Sequence, residues 1–166
     1  MKEEIKRNCV LIKRFDGFDD YISLSIEKKG NVDDNLHEKN NRIVIYVGED
    51  PTLIIPSIEF PSVEVAIEEI IDKEYSYKEI KGMSTAEILL KRIDLDIRAW
   101  SKNNYDSHFL YYKISFPLLK RLREVGETKF QIIFQQEILK KYATGPLQVK
   151  KYLDQEGYLE LISDFF

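Results

Sequence analysis

CVLIKRFDGFDDYISLSIE, residues 9–27, is the stretch whose reading decides the fold. Two runs rich in β-branched and aromatic residues, Cys9 to Phe15 and Phe18 to Glu27, flank Asp16-Gly17. Glycine accepts a positive φ without Cβ strain, so Asp-Gly between two such runs predicts a two-residue hairpin. That turn implies a register of Phe15 opposite Phe18, Arg14 opposite Asp19, Lys13 opposite Asp20 and Ile12 opposite Tyr21. One aromatic pair, two opposite-charge pairs and one apolar pair agree with it, each worth roughly 0.2–1 kcal/mol.

A second hairpin is expected next. Residues 28–41 are polar and rich in Asn and Asp and read as a loop. Arg42 to Val47 and Thr52 to Ile55 then read as strands joined through Gly48-Glu49-Asp50-Pro51, and Pro56 and Pro61 end the sheet.

From residue 61 the period changes to that of a helix. Ser62 caps a predicted helix to about Tyr75, with Val63, Ala66, Ile67, Ile70 and Ile71 on one stripe. Ser84 and Glu87 have capping-box spacing and open a helix to about Trp100. Its apolar stripe is Ala86, Leu89, Leu90, Ile93, Ile97 and Trp100, and Glu87 with Lys91 and Asp94 with Arg98 have i,i+4 spacing. Residues 101–107 read as a loop. Residues 108–116 fit a strand or a helix; the alternation of Leu110, Tyr112, Ile114 and Phe116 favours a strand, with Pro117 opening a helix over Leu118 to Val125 that Gly126 closes. Phe130, Ile133, Phe134, Ile138 and Tyr142 recur at helical spacing up to Gly145-Pro146. A last helix over 146–155 and a short apolar end, Tyr158 to Phe166, follow. The expected fold is α+β: a small antiparallel sheet of two N-terminal hairpins packed against a mainly helical C-terminal half. With no repeat or linker, residues 1–166 read as a single domain, 1–60 mainly β and 61–166 mainly α.

Composition narrows the function. The 166 residues carry 43% hydrophobic and 33% charged residues, ten Tyr and nine Phe. Tyrosine suits half-wet surfaces, so this surplus points to an interface. Cys9 is the single cysteine and lies in an apolar run, which excludes an internal disulfide and suits a buried thiol. No stretch approaches the ~18 apolar residues of a membrane span, and a bacterial, cytoplasmic protein is expected.

The net charge of −4 hides a sorting along the chain. Residues 15–90 hold 17 carboxylates against seven cations, and residues 91–151 hold 13 cations against six carboxylates. Sign asymmetry of this kind marks a charged partner or an internal charge match. The acidic residues Glu49, Asp50, Glu64, Glu68, Glu69 and Asp72 form the candidate face for a basic protein, since complementary charge raises association rates. The alternative is nucleic acid, with Lys120, Arg121, Arg123, Lys140 and Lys141 on phosphates and nearby tyrosines stacking on bases.

Chemistry-bearing motifs are sparse. No glycine pattern cradles a phosphate and no serine-nucleophile elbow is present, so no catalytic residue, metal or cofactor is expected. Glu27-x-Lys29 with Asp19 and Asp20 has the residue types of a metal-dependent nuclease, where carboxylates hold Mg²⁺ and the lysine stabilises developing charge. In the register above, those aspartates already face Arg14 and Lys13. Asp33 and His37 would share a helical face, but Asn41 stands where a second histidine ligand would be needed. His108 has no Cys or second His beside it in the sequence. The leading expectation is therefore a non-enzymatic protein-binding protein, an inhibitor of the immunity or antitoxin type. A nucleic-acid accessory protein and a metal-dependent nuclease-like enzyme are the alternatives.

Overall fold

A computed structural model describes residues 9–15, 21–29, 41–56, 85–125 and 127–163. The chain is α+β: an N-terminal antiparallel sheet is followed by five described helices. It divides into two compact units, Met1–Ala99 and Trp100–Phe166.

The first unit holds β1 (Cys9–Phe15), β2 (Ile22–Lys29), β3 (Asn41–Val47) and β4 (Asp50–Pro56), in the sheet order β1-β2-β3-β4. All three pairings are antiparallel. Ile22, Leu24 and Ile26 of β2 lie opposite Val47, Ile45 and Ile43 of β3, and all six are at most 3% exposed. Ser23, Ser25 and Glu27 on the other face are buried too, so this central strand is covered on both sides. There the Tyr46 hydroxyl donates to Glu27 Oε1 at 2.9 Å, which gives the buried carboxylate a partner.

The two-residue hairpin at Asp16-Gly17 is not what forms. Phe15 lies opposite Leu24, Arg14 opposite Ser25 and Lys13 opposite Ile26, with an irregularity between Leu11 and Lys13. β1 ends at Phe15 and β2 begins at Ile22, and residues 16–20 between them lie outside the described residues. The reason is the buried apolar ladder between β2 and β3: it aligns Ile22 to Lys28, and β1 follows. Surface charge pairs worth tenths of a kcal/mol cannot compete with six buried aliphatic side chains at about 1.5–3 kcal/mol each.

The β3–β4 turn is also tighter than expected. Val47 pairs with Asp50, leaving Gly48-Glu49 as the loop, and Gly48 has φ +64° at the first loop position, where a type II′ turn needs it. Pro51 is tolerated inside β4 because β4 is an edge strand with an irregular register there.

The helix α1 (Thr85–Lys102) follows the sequence pattern. Ala86, Leu89, Leu90, Ile93, Ile97 and Trp100 are all at most 2% exposed. Asp94 and Arg98 pair at 3.0 Å, as their spacing predicts, and Arg92 pairs with Asp96 at 2.8 Å. The expected helix at 62–75, its acidic residues, the cap Ser84, the loop around His37 and Gly126 lie outside the described residues.

The second unit contains α2 (Tyr112–Arg123), α3 (Thr128–Thr144), α4 (Leu147–Gln155) and α5 (Tyr158–Ser163), with α3 in contact with the other three. Phe116, Leu118, Leu119, Leu122, Phe130, Phe134, Ile138, Leu153 and Ile162 are buried here. The strand expected over 108–116 is replaced by α2, which carries Pro117 in its interior. A helical path buries Ile114, Phe116, Leu118, Leu119 and Leu122 together, and that burial outweighs the cost of about 3 kcal/mol for an interior proline. The α3 stripe and its stop before Gly145-Pro146 fall where the spacing places them. Among the described residues no helix is long and apolar enough to cross a membrane.

Candidate functional site: a clasped loop in the helical unit

Residues 103–111 join α1 to α2. The path begins with a C-cap: the Tyr105 amide reaches back to the Trp100 carbonyl at 2.8 Å, a six-to-one closure with Asn104 in the left-handed region at φ 56°. Tyr105 is left-handed as well, at φ 61°. For a non-glycine residue this costs about 1–2 kcal/mol. The tyrosine ring offsets it. It is buried, edge-on to Trp100 at 4.8 Å and to Phe130 at 5.2 Å.

Two further ties fasten the loop to α3. Glu137 is only 8% exposed, and its Oε2 accepts both the Ser107 amide at 3.2 Å and the Ser107 hydroxyl at 2.8 Å. Its Oε1 accepts from Lys140 Nζ at 3.3 Å, and the same ammonium reaches Asp106 Oδ1 at 3.2 Å. Asp106 Oδ1 also accepts the His108 amide at 2.9 Å and the His108 Nδ1 at 2.7 Å. An ionised carboxylate only accepts, so Nδ1 carries the proton in this bond.

The electrostatics follow this geometry. Burial pushes the Asp106 carboxyl upward, but the hydrogen bonds from the His108 amide, the His108 ring and Lys140 outweigh it and hold the group at about 2. Burial pulls the Lys140 ammonium down, and the bond to Asp106 with the charge of Glu137 reverses that, leaving it above its ordinary value. The clasp thus runs from Asp106 through the Lys140 ammonium to Glu137.

What the clasp holds out is aromatic. Leu110 is buried, while Phe109 is 42% and Tyr111 54% exposed. Tyr111 heads a row of tyrosine rings that runs inward through Tyr112 at 4.8 Å and Tyr152 at 5.2 Å to Tyr158 at 5.9 Å. Burial, and then Tyr152 beside it, push the Tyr158 phenol well above the ordinary value.

No family model, curated protein or solved structure matches this chain. The site therefore stands on its own geometry.

Of the acidic candidates, Glu49 is exposed in the β3–β4 turn and Asp50 is half-buried at the start of β4. Glu64, Glu68, Glu69 and Asp72 lie outside the described residues. The basic candidates are half-buried and largely engaged. Lys140 belongs to the clasp, and Arg121 pairs with Glu124. Lys120 lies 5.9 Å over the Tyr158 ring and Arg123 4.7 Å over the Phe134 ring. Lys141 is half-buried in the last turn of α3. For the nuclease-like set, Asp19 and Asp20 lie outside the described residues, as does the side chain of Lys29, and Glu27 is the buried acceptor of Tyr46. Among the described residues no three His, Cys, Asp or Glu side chains converge as a metal cluster.

Sequence reasoning passed over the loop. Asn103-Asn104 after the α1 stripe is a left-handed C-cap signal, and Glu137 within the α3 core stripe marks a buried carboxylate that needs a partner.

Proposed function

We propose that this chain acts by binding a protein partner, and that residues 103–111 of the helical unit carry the contact. One observation supports the reading: a loop fastened by buried bonds and a left-handed tyrosine holds two large aromatic side chains, Phe109 and Tyr111, in solvent. Exposed aromatics on a rigid support are what interface anchors are made of. They supply apolar area, and a loop already fixed loses little entropy on binding. An inhibitor of the immunity or antitoxin type, covering its partner's working surface, is the concrete form of this reading. The acidic residues named from the sequence would raise the association rate with a basic partner. The nucleic-acid alternative has less behind it, because Lys140, Arg121, Lys120 and Arg123 already have carboxylate or ring partners within the unit.

The test is affinity capture from a lysate of the source organism, with the wild type and a Phe109→Ala/Tyr111→Ala variant side by side. The expected result is one protein retained by the wild type and lost by a variant whose circular dichroism is unchanged. Equal retention by both, or retention of nucleic acid alone, would refute the proposal.

A further inference from the structure

The segment 102–113 has exposed aromatics between exposed cations. Phe109 and Tyr111 stand out of it, and lysines flank it at both ends, Lys102 in the last turn of α1 and Lys113 in the first turn of α2. Asn103, Asn104 and His108 are its other exposed side chains, and none is acidic. The one carboxylate in the segment, Asp106, is half-buried and already bound to Lys140 and His108. Lys102 and Lys113 are matched by no carboxylate among the described residues. Lys113 also works against its own helix, because a cation at a helix start meets the positive end of the dipole. No acidic residue in the first turn of α2 offsets it. A residue that opposes its local structure without a compensating contact marks a position kept for another purpose.

We propose that this segment takes an acidic patch on the protein partner: an apolar centre that receives Phe109 and Tyr111, ringed by Asp or Glu side chains that meet Lys102 and Lys113. The inference rests on the reading that the loop carries the contact, and it adds the partner's charge there. None of the acidic candidates read from the sequence falls within 102–113, so at the loop the partner meets the opposite sign. A partner basic overall can still carry such a patch. Aromatic anchors supply the binding energy of such a contact, and the charges around them set encounter rate and reject wrong partners. Each exposed ion pair is worth little, so the two lysines together give about a tenfold preference for an acidic over a basic surface.

Fluorescence anisotropy of the full chain with two labelled peptides tests this. Both peptides have the same Trp-Leu centre, one flanked by Glu and the other by Lys. The Glu-flanked peptide is expected to bind the wild type about tenfold more tightly, with the difference shrinking as salt is added. Lys102→Glu/Lys113→Glu reverses the preference. That variant unfolds no earlier than the wild type, because what Glu costs at the end of α1 it returns at the start of α2. Phe109→Ala/Tyr111→Ala weakens both peptides alike. Equal binding of the two peptides, no binding of either, or a preference that survives charge reversal would overturn the proposal. Such a result leaves the loop as the contact, which affinity capture decides separately on Phe109 and Tyr111.

Discussion

Replacing Glu137 with leucine tests whether the clasp holds the 103–111 loop. The carboxylate accepts two bonds from Ser107, at 3.2 and 2.8 Å, and one from Lys140 at 3.3 Å, in a site where both Glu137 and Ser107 are 8% exposed. A hydrogen bond to a charged group contributes about 1.5–3 kcal/mol, and each buried donor left without a partner costs about 1–3 kcal/mol. Lys140 keeps Asp106 and is 37% exposed, so its loss is small. The leucine side chain recovers part of the difference through apolar burial. The expected net loss is about 3 kcal/mol in urea unfolding. Ser107→Ala removes only the hydroxyl bond and should cost about 1 kcal/mol. Because the two residues share one contact, the double variant should fall short of the sum of the singles by about 1 kcal/mol. Amide hydrogen exchange at Ser107 adds a local readout, with protection lost in Glu137→Leu before global unfolding. A Glu137→Leu chain within about 0.5 kcal/mol of wild type, with unchanged exchange at Ser107, would refute the reasoning.

Three further outcomes follow from particular contacts. The Asp106 carboxyl titrates below its ordinary 3.8, at about 2, so its contribution is complete above pH 4 and is lost as pH falls through 2. At a group one-third exposed this is worth about 1 kcal/mol, and Asp106→Asn should flatten the acid limb of a stability–pH curve by that amount. Pro117 blocks a bond to the Lys113 carbonyl inside α2, so Pro117→Ala should stabilise the chain by about 1 kcal/mol, the regained bond exceeding the lost stiffening of the unfolded state, as thermal unfolding would show. Gly48 at φ +64° has nothing within 4 Å of a built Cβ, so Gly48→Ala should cost about 1 kcal/mol in chemical unfolding through backbone strain alone.

The parts of this fold that the sequence discloses are those set by near neighbours. The α1 stripe from Ala86 to Trp100 repeats every three or four residues, and burial follows it residue by residue. The α3 stripe and its stop before Gly145-Pro146 are equally local. The β1–β2 register is not, because Ile22, Leu24 and Ile26 take their alignment from Ile43, Ile45 and Val47, some twenty residues on. The pairs that a turn at Asp16-Gly17 implies differ from the observed register, in which Phe15 lies opposite Leu24. Around 108–116 the alternation favours a strand and Pro117 favours a helix start, and a shared buried face decides for one helix running through both. The candidate site lies at the far end of this scale. Ser107 and Glu137 are 30 residues apart, and their meeting depends on how α3 lies against the end of α1. A motif search for catalytic residues passes over such a site, since its ingredients are one buried carboxylate, one serine and a backbone angle at Tyr105.

The central claim is that a rigid loop presents Phe109 and Tyr111 to a protein partner, and site-specific photocross-linking from position 109 in a lysate of the source organism tests it most directly. The account predicts a cross-link to one protein species at position 109, weakened by Glu137→Leu in a chain that still folds, and none from a control position at the exposed Gln148. The same adducts from both positions, or cross-links to nucleic acid alone, would contradict it.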